Sequence, residues 1–289
     1  MTGTGTGTGR ASAPAAGTVL NALATGVGSA FAIDADTTAT VDLDDTGTVS
    51  GAVEGAPDAD TDLIERCVEL TVGEFGDSQG GHVRTESDVP MAAGLKSSSA
   101  AANAAVLATL EALGATDAID RIDACRLGVR AAREVGVTVT GAFDDASASM
   151  LGGLTVTDNE ADELLARDEV DWDVLVWTPP KQAFSADADV ERCRRVAPMA
   201  DLAADLALDG DYGRAMTVNG LAFCAALGFP TGPLVAAMPT VDGVSLSGTG
   251  PSVVAVGPRE PLETVRTDWT NYEGDTWLTT TRTEGTRTR

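Results

Sequence analysis

Lysine is nearly absent from this 289-residue chain: Lys96 and Lys181 are the only two among 19 basic residues, against 44 acidic ones. A formal charge of −25 leaves no basic patch for a phosphate backbone. That argues against nucleic acid as a partner, and against an anionic membrane surface for the same reason. Histidine occurs once, as His82, and the four cysteines Cys67, Cys125, Cys193 and Cys224 form no C-x-x-C pair, so no zinc constellation is present. The cysteines read as reduced thiols of a cytoplasmic protein. No apolar run reaches the ~18 residues of a membrane-spanning helix. The first residues carry no apolar signal-peptide core. Aromatics are 4% of the chain, so its core must be built from Ala, Val and Leu.

Hydrophobic residues at 43% suffice for one large domain or two modest ones. An isoelectric point near 4.1 with so little lysine resembles proteins of salt-loving cytoplasms, with an acidic mesophile protein as the alternative. At molar salt the Debye length is about 3 Å, and mutual repulsion of surface carboxylates then costs little.

The Gly/Thr start "MTGTGTGTGR" and the end "TRTEGTRTR" read as low-complexity, disordered segments. Alternation and β-branched residues between them predict strands after Thr18, broken at Gly26 and Gly28. Leu63, Ile64, Cys67, Val68 and Val72 have helical spacing, and a strand is expected near His82–Asp88. Helices are expected over Ala100–Leu113 and from Asp117 to about Glu134. "VTVTGAFDDASASMLGGLTVTD" reads as strand, turn, short helix, glycine pair, strand. The acidic run "DNEADELLARDEVDWD" suggests a boundary near residue 158. Beyond it come the strand "VLVWTPP", helices around Met199–Leu208 and Arg214–Leu227, and "GVSLSGTGPSVVAVG", a glycine-rich turn between strands.

One stretch departs from the general acidity: no Asp or Glu occurs from Val89 to Leu110. Its order is loop, glycine, serine cluster, helix. The first amides of a helix have no internal partners, and the macrodipole adds roughly half a positive charge there. Acidic side chains are normally welcome in a first turn, so their absence suggests that an external anion takes the place, phosphate above all. Gly94 permits close backbone approach, Ser97 and Ser98 offer hydroxyls to phosphate or Mg2+, and Lys96 lies in the same loop. Buried helices also lack acids, and Tyr212–Val241 is acid-free without such a loop, so core packing stands beside anion binding as an explanation. Neither G-x-x-x-x-G-K-[ST] nor G-x-G-x-x-G is present.

"PMAAGLKSSSAA" resembles the phosphate-binding signature P-x-x-x-G-L-x-S-S of the GHMP kinases, which phosphorylate small alcohols with ATP. "SLSGTGPSVVAVG" resembles their C-terminal glycine motif, and "FDDASASMLGG" the segment bearing their catalytic aspartate, which lies seven residues before a glycine. "APAAGTVLNALATGVGSAFAID" and "TGAFDDASAS" resemble the archaeal shikimate kinase branch of that family. The resemblance implies an α+β, two-lobed fold with the active site in the cleft between lobes. Together with the low-complexity ends and the acidic run, this gives a leader at 1–12, an N-terminal kinase domain at 13–158, a C-terminal one at 159–275 and a tail at 276–289.

The implied reaction is transfer of the γ-phosphoryl group of ATP to the 3-hydroxyl of shikimate, with Mg2+ as cofactor. A kinase for another alcohol such as homoserine or mevalonate, and a non-catalytic nucleotide- or metabolite-binding member of the fold, are the alternatives. Pro90, Ala92, Ala93, Gly94, Leu95, Lys96, Ser97, Ser98, Ser99 and Ala100 are then expected around the nucleotide phosphates. Asp145 is expected to orient the attacking hydroxyl, with Asp144 as the fallback. Ser98 and Glu134, eleven residues before Asp145, would hold Mg2+. Asn21, Thr25, Ser247, Gly248, Thr249 and Gly250 would touch the substrate. Between Val135 and Thr157 the only acids are Asp144 and Asp145, and two adjacent carboxylates in so apolar a stretch are costly without partners. The sequence leaves the oligomeric state open.

Overall fold

The computed structural model describes residues 6–90, 93–180 and 188–289. The first lobe contains β1 (Thr8–Leu20), β2 (Val27–Asp44), β3 (Val49–Val53), α1 (Asp62–Phe75), β4 (Gly80–Ser87), α2 (Ser97–Ala112), α3 (Arg121–Glu134), α4 (Phe143–Leu151), β5 (Leu154–Asp158) and β6 (Glu163–Asp168). The second contains β7 (Asp173–Thr178), α5 (Val190–Arg194), α6 (Ala197–Leu208), α7 (Tyr212–Leu227), α8 (Gly232–Ala237), β8 (Gly243–Leu246), β9 (Val253–Gly257), α9 (Arg259–Trp269) and β10 (Asp275–Thr280). A last short strand, β11 (Arg287–Thr288), returns to the first lobe.

The long strand β2 organises the first sheet. Its first half pairs with β5 and its second half with β4, while β1 runs antiparallel along its other edge. The main path is β11-β1-β2-β4-β3, with β6 beyond β5. The register between β1 and β2 shifts between Pro14 and Ala16, where proline has no N–H for the ladder. The second sheet has the order β10-β7-β9-β8. Each lobe has its own core. A third cluster joins them, with Val19, Phe31 and Leu95 of the first lobe against Val174, Met216 and Val254 of the second.

Several expectations need correction. The supposed leader is structured from Thr8 onward, and Ala11 and Ser12 are fully buried. Its glycines serve close packing: a Cβ on Gly7 would stand 2.1 Å from the Ala112 carbonyl oxygen, and one on Gly9 2.0 Å from that of Ala108. The strand thus lies directly on the backbone of α2, which only glycine allows. Residues 1–5 fall outside the described region. The expected boundary at 158 is displaced as well, because β5 and β6 form one hairpin on the first sheet and the chain passes to the second lobe after Asp168. Nor is the C-terminal segment a tail. β10 pairs with β7, and β11 pairs with β1. Val137–Thr140, expected as a strand, is irregular; the Arg133 guanidinium donates to the Thr140 carbonyl at 3.2 Å.

Candidate active site

Helix α2 begins after Lys96, whose backbone is left-handed (φ 64°, ψ 27°). The Lys96 side chain does not cap its N-terminus, no side-chain hydrogen bond to its first amides occurs among the described residues, and its first turn carries no acid. From Ala102 to Leu110 every residue is buried, so core packing accounts for the missing acids along the helix body. At Ser97–Ser99 burial does not account for it. Ser98 is exposed and its neighbours are half-buried, which leaves an amide-rich helix end open to an anion. Ala93, Leu95 and Ala100 point into the core, so they offer a ligand only their backbone. Pro90 is exposed at the loop entrance, and Ala92 lies outside the described residues.

The glycine turn of the second lobe is laced to this loop. Ser247 Oγ donates to the Gly94 carbonyl at 2.8 Å, and the Ser252 amide donates to the Ala93 carbonyl at 3.3 Å. A Cβ on Gly94, whose φ is +80°, would collide with the Ser247 carbonyl oxygen at 2.3 Å. The turn itself closes through a Gly250 N–H to Ser247 carbonyl bond of 2.9 Å. Thr18 and Asn21 at the end of β1 fix it from below: Thr18 Oγ1 accepts the Gly248 amide at 2.8 Å, and Asn21 Nδ2 donates to the Gly248 carbonyl at 2.9 Å. Asn21 Oδ1 accepts the Leu23 amide. The Asn21 side chain is therefore occupied in holding the turn. Thr25, in the β1–β2 connection, keeps a hydroxyl with no protein partner among the described residues.

Asp145 stands in the first turn of α4, and its Oδ1 meets Lys96 Nζ at 2.8 Å. Both side chains are nearly buried, at 14% and 7% exposure. Burial and the neighbouring Asp144 charge push the Asp145 carboxyl up to about 7, against the downward pull of Lys96. A carboxyl that exchanges its proton near neutrality is matched to general-base work. Asp144 has a different setting. Its Oδ1 accepts from Asn159 Nδ2 at 2.7 Å, and a Cβ on Gly28 would stand 2.5 Å from Oδ2. Asp144 is thus held between Asn159 and Gly28, while Asp145 pairs with Lys96.

Lys96, Asp145, Gly94 and the Ser247–Gly250 turn thus come together. Glu134 does not join them. Its carboxylate lies at the end of α3, bonded by Arg66 at 2.7 Å and approached by Arg130 at 3.7 Å, and it is 40% exposed. For Mg2+ the exposed Ser98 hydroxyl at an uncapped helix start fits; Glu134, with two guanidiniums on its carboxylate, does not. Among the described residues no three His, Cys, Asp or Glu side chains gather into a metal cluster. A cavity of ≈ 480 Å³ borders Pro90, but Asp34, Asp88 and Asp275 line it, a setting a polyphosphate would avoid.

Sequence reasoning missed Asn159, Thr18, Asn219 and Arg133. Asn219 Oδ1 accepts the Asn21 amide at 2.9 Å, and its Nδ2 donates to Ser245 Oγ at 2.8 Å. Its available signal was a lone amide in the otherwise small and apolar "VNGLAFCAAL". Arg133 binds the Asn159 carbonyl and the Asp162 carboxylate, fixing the β5–β6 turn that carries Asn159.

A helix start joined through Lys96 to a buried aspartate, beside two interlocked glycine loops, can hold an anion close to a proton acceptor. Comparison with known proteins gives the class, a small-molecule kinase. The model of the GHMP kinases N-terminal domain matches residues 62–153. Solved structures agree on the fold. The homoserine kinase of Cytophaga hutchinsonii superposes with a TM-score of 0.74 at 17% identity, covering 98% of this chain and 97% of that one. The mevalonate kinase of Methanococcus jannaschii does so with 0.73 at 14% identity, covering 94% and 98%.

Curated relatives define the branch. The shikimate kinase of Halobacterium salinarum is 65% identical over 277 residues, spanning 96% of this chain and 98% of its own. That of Methanosarcina mazei is 53% identical over 256 residues, spanning 88% and 87%. The chain belongs to this shikimate kinase family within the GHMP kinases.

Proposed function

We propose that this enzyme transfers the γ-phosphoryl group of ATP to the 3-hydroxyl of shikimate, giving shikimate 3-phosphate and ADP. The observation that carries the mechanism is the pairing of Asp145 with Lys96, the residue just before α2, whose ammonium lies against Gly248 of the second lobe. The 65% identity to a shikimate kinase over nearly the whole chain supports the substrate.

The amides at Ser97–Ser99 receive the nucleotide phosphates, aided by the helix dipole. The Asp145 carboxylate takes the proton from the substrate hydroxyl. The hydroxyl oxygen forms a new bond to the γ-phosphorus as the bond from that phosphorus to the β–γ bridging oxygen breaks, and ADP leaves with that electron pair. Such transfers depend on positioning and charge stabilisation more than on covalent help. Bound Mg2+ would neutralise charge on the phosphate oxygens, with Ser98 as the protein ligand that fits. The four buried free cysteines are consistent with a reducing, cytoplasmic setting. The charge of −25 supports a medium of high salt.

The test is a coupled ADP-release assay at molar KCl with Mg2+, ATP and a panel of shikimate, homoserine and mevalonate. Turnover with shikimate alone is expected. Preference for another alcohol overturns the substrate, and tight ATP binding without transfer to any alcohol overturns the reaction. Asp145→Ala should lose most turnover while ATP binding stays nearly intact.

A further inference from the structure

Lysine is so scarce here that a buried one calls for an explanation. The Lys96 ammonium is 7% exposed and paired with Asp145 at 2.8 Å. It also lies beneath the glycine turn, where a Cβ on Gly248 would stand 2.8 Å from Nζ. Apart from Lys181, every other basic residue of the chain is arginine. A guanidinium is a planar fork, broader than an ammonium, whereas the lysine head is a compact point charge. With Asp145 at 2.8 Å on one side and the Gly248 backbone close on the other, the site suits the compact head better than the broad one.

We propose that Lys96 is a positioning residue for Asp145, holding that carboxylate as an anion, and not a contact for the nucleotide phosphates. The left-handed backbone at Lys96 places it as the last residue before α2, so one residue joins the phosphate-binding helix start to the proton acceptor. Gly248 has a left-handed backbone (φ +56°) that favours glycine, and a Cβ there would also crowd the ammonium. The charged groups acting on Asp145 are Asp144 from its own helix and Lys96 from the loop. The Gly28 and Asn159 that pack on Asp144 are neutral. Loss of Lys96 removes the one cationic influence, so Asp145 would hold its proton to higher pH, and a base must be deprotonated to act.

The inference rests on Asp145 as the proton acceptor, and its test separates the two readings. Full-length wild type, Lys96→Met, Lys96→Arg, Asp145→Asn and the double variant Lys96→Met/Asp145→Asn are compared in the ADP-release assay across pH, with ATP binding measured by calorimetry. The carboxyl signal of Asp145 is followed by NMR titration without any substrate. Lys96→Met should move the acid limb of kcat/KM, and the NMR midpoint with it, up by about one pH unit or more, tenfold in rate per unit on that limb. ATP affinity should stay within about threefold, against the more than tenfold loss expected of a charge-assisted phosphate contact. Lys96→Arg should behave like Lys96→Met, since the broad guanidinium suits the site poorly. A phosphate contact would instead tolerate it. The double variant should be no slower than Asp145→Asn alone, because a residue acting through another adds nothing once that other is gone.

ATP affinity lost with an unmoved acid limb, losses that add in the double variant, or full activity in Lys96→Arg would each overturn the proposal. Should Lys96→Met fail to fold, Gly248→Ala, which crowds the ammonium without removing it, should shift the NMR midpoint upward, and an unmoved midpoint would count against it. If Asp145→Asn retains full turnover, the proton-acceptor reading itself falls, whatever Lys96 does.

Discussion

Asn159 holds Asp144 at two points. Its Oδ1 accepts the Asp144 amide at 3.1 Å, and its Nδ2 donates to the Asp144 carboxylate at 2.7 Å. The same Oδ1 accepts from Thr157 Oγ1 at 2.7 Å. One amide side chain therefore accepts an amide at the start of α4 and fixes the carboxylate next to Asp145.

A pH shift of defined sign follows. Burial and then the Asp144 charge raise the Asp145 carboxyl, so removing that charge should lower it. Asp144→Asn keeps the shape and an oxygen for Asn159 to bond. Its kcat/KM acid limb should move to lower pH than in wild type, opposite to the shift expected for Lys96→Met. Asn159→Leu should behave otherwise: it strands buried polar groups at a cost of about 1–3 kcal/mol, seen as a lower denaturation midpoint. A rise in the acid limb of Asp144→Asn would contradict the electrostatics described.

The metal assignment divides in the same concrete way. Glu134 is bonded to Arg66 at the surface, so Glu134→Gln should leave the Mg2+ concentration for half-maximal activity unchanged and lose at most about 1 kcal/mol of stability. Ser98→Ala removes the hydroxyl at the open end of α2 and should raise that concentration several-fold. Measuring activity against Mg2+ for both variants decides between them; a strong effect of Glu134→Gln would require the α3 end to rearrange when nucleotide binds.

What the sequence made legible was local. Gly94, Leu95, the serine cluster and the Ala-rich run of α2 stand together in the chain, and their order already implies a loop that feeds a helix. The Asp144–Asp145 pair stood out because its surroundings carry no other charge. The relationships that decide roles are long-range. Lys96 and Asp145 meet across 49 positions in the chain, and Asn21 and Gly248 across 227. No period or spacing announces such pairs. Composition also misled at both ends, because alternating Gly and Thr looks like low complexity whether it is disordered or pressed against a helix backbone.

That last distinction can be measured. Gly9→Ala would bring a methyl within 2.0 Å of the Ala108 carbonyl and should cost more than about 2 kcal/mol, because backbone has to shift. Gly73 is exposed within α1, and a Cβ there would meet nothing within 4 Å. Gly73→Ala should stabilise by about 0.5–1 kcal/mol through helix propensity alone. Urea midpoints of the two variants should therefore move in opposite directions. A neutral Gly9→Ala would return the leader to the status of a loose segment.

The C-terminal segment offers the final test. Arg282, Arg287 and Arg289 converge on Asp36, at 2.6, 3.4 and 2.9 Å, and Asp36 is 15% exposed. Nearby, Thr286 donates from its N–H to the Met150 carbonyl at 3.1 Å and from its hydroxyl to the Ser149 carbonyl at 3.0 Å. Those carbonyls close the last turn of α4, whose first turn bears Asp145. Three guanidiniums around one partly buried carboxylate form a network that salt screens less than it screens exposed pairs. Asp36→Asn should cost about 1–3 kcal/mol, and the loss should persist at molar KCl. Release of the segment should also let α4 fray from its C-terminal end, so amide exchange at Thr286 and along α4 should quicken together. If stability falls while exchange in α4 is unchanged, the segment braces only the sheet, and Asp145 owes its position to Asn159 and Lys96 alone.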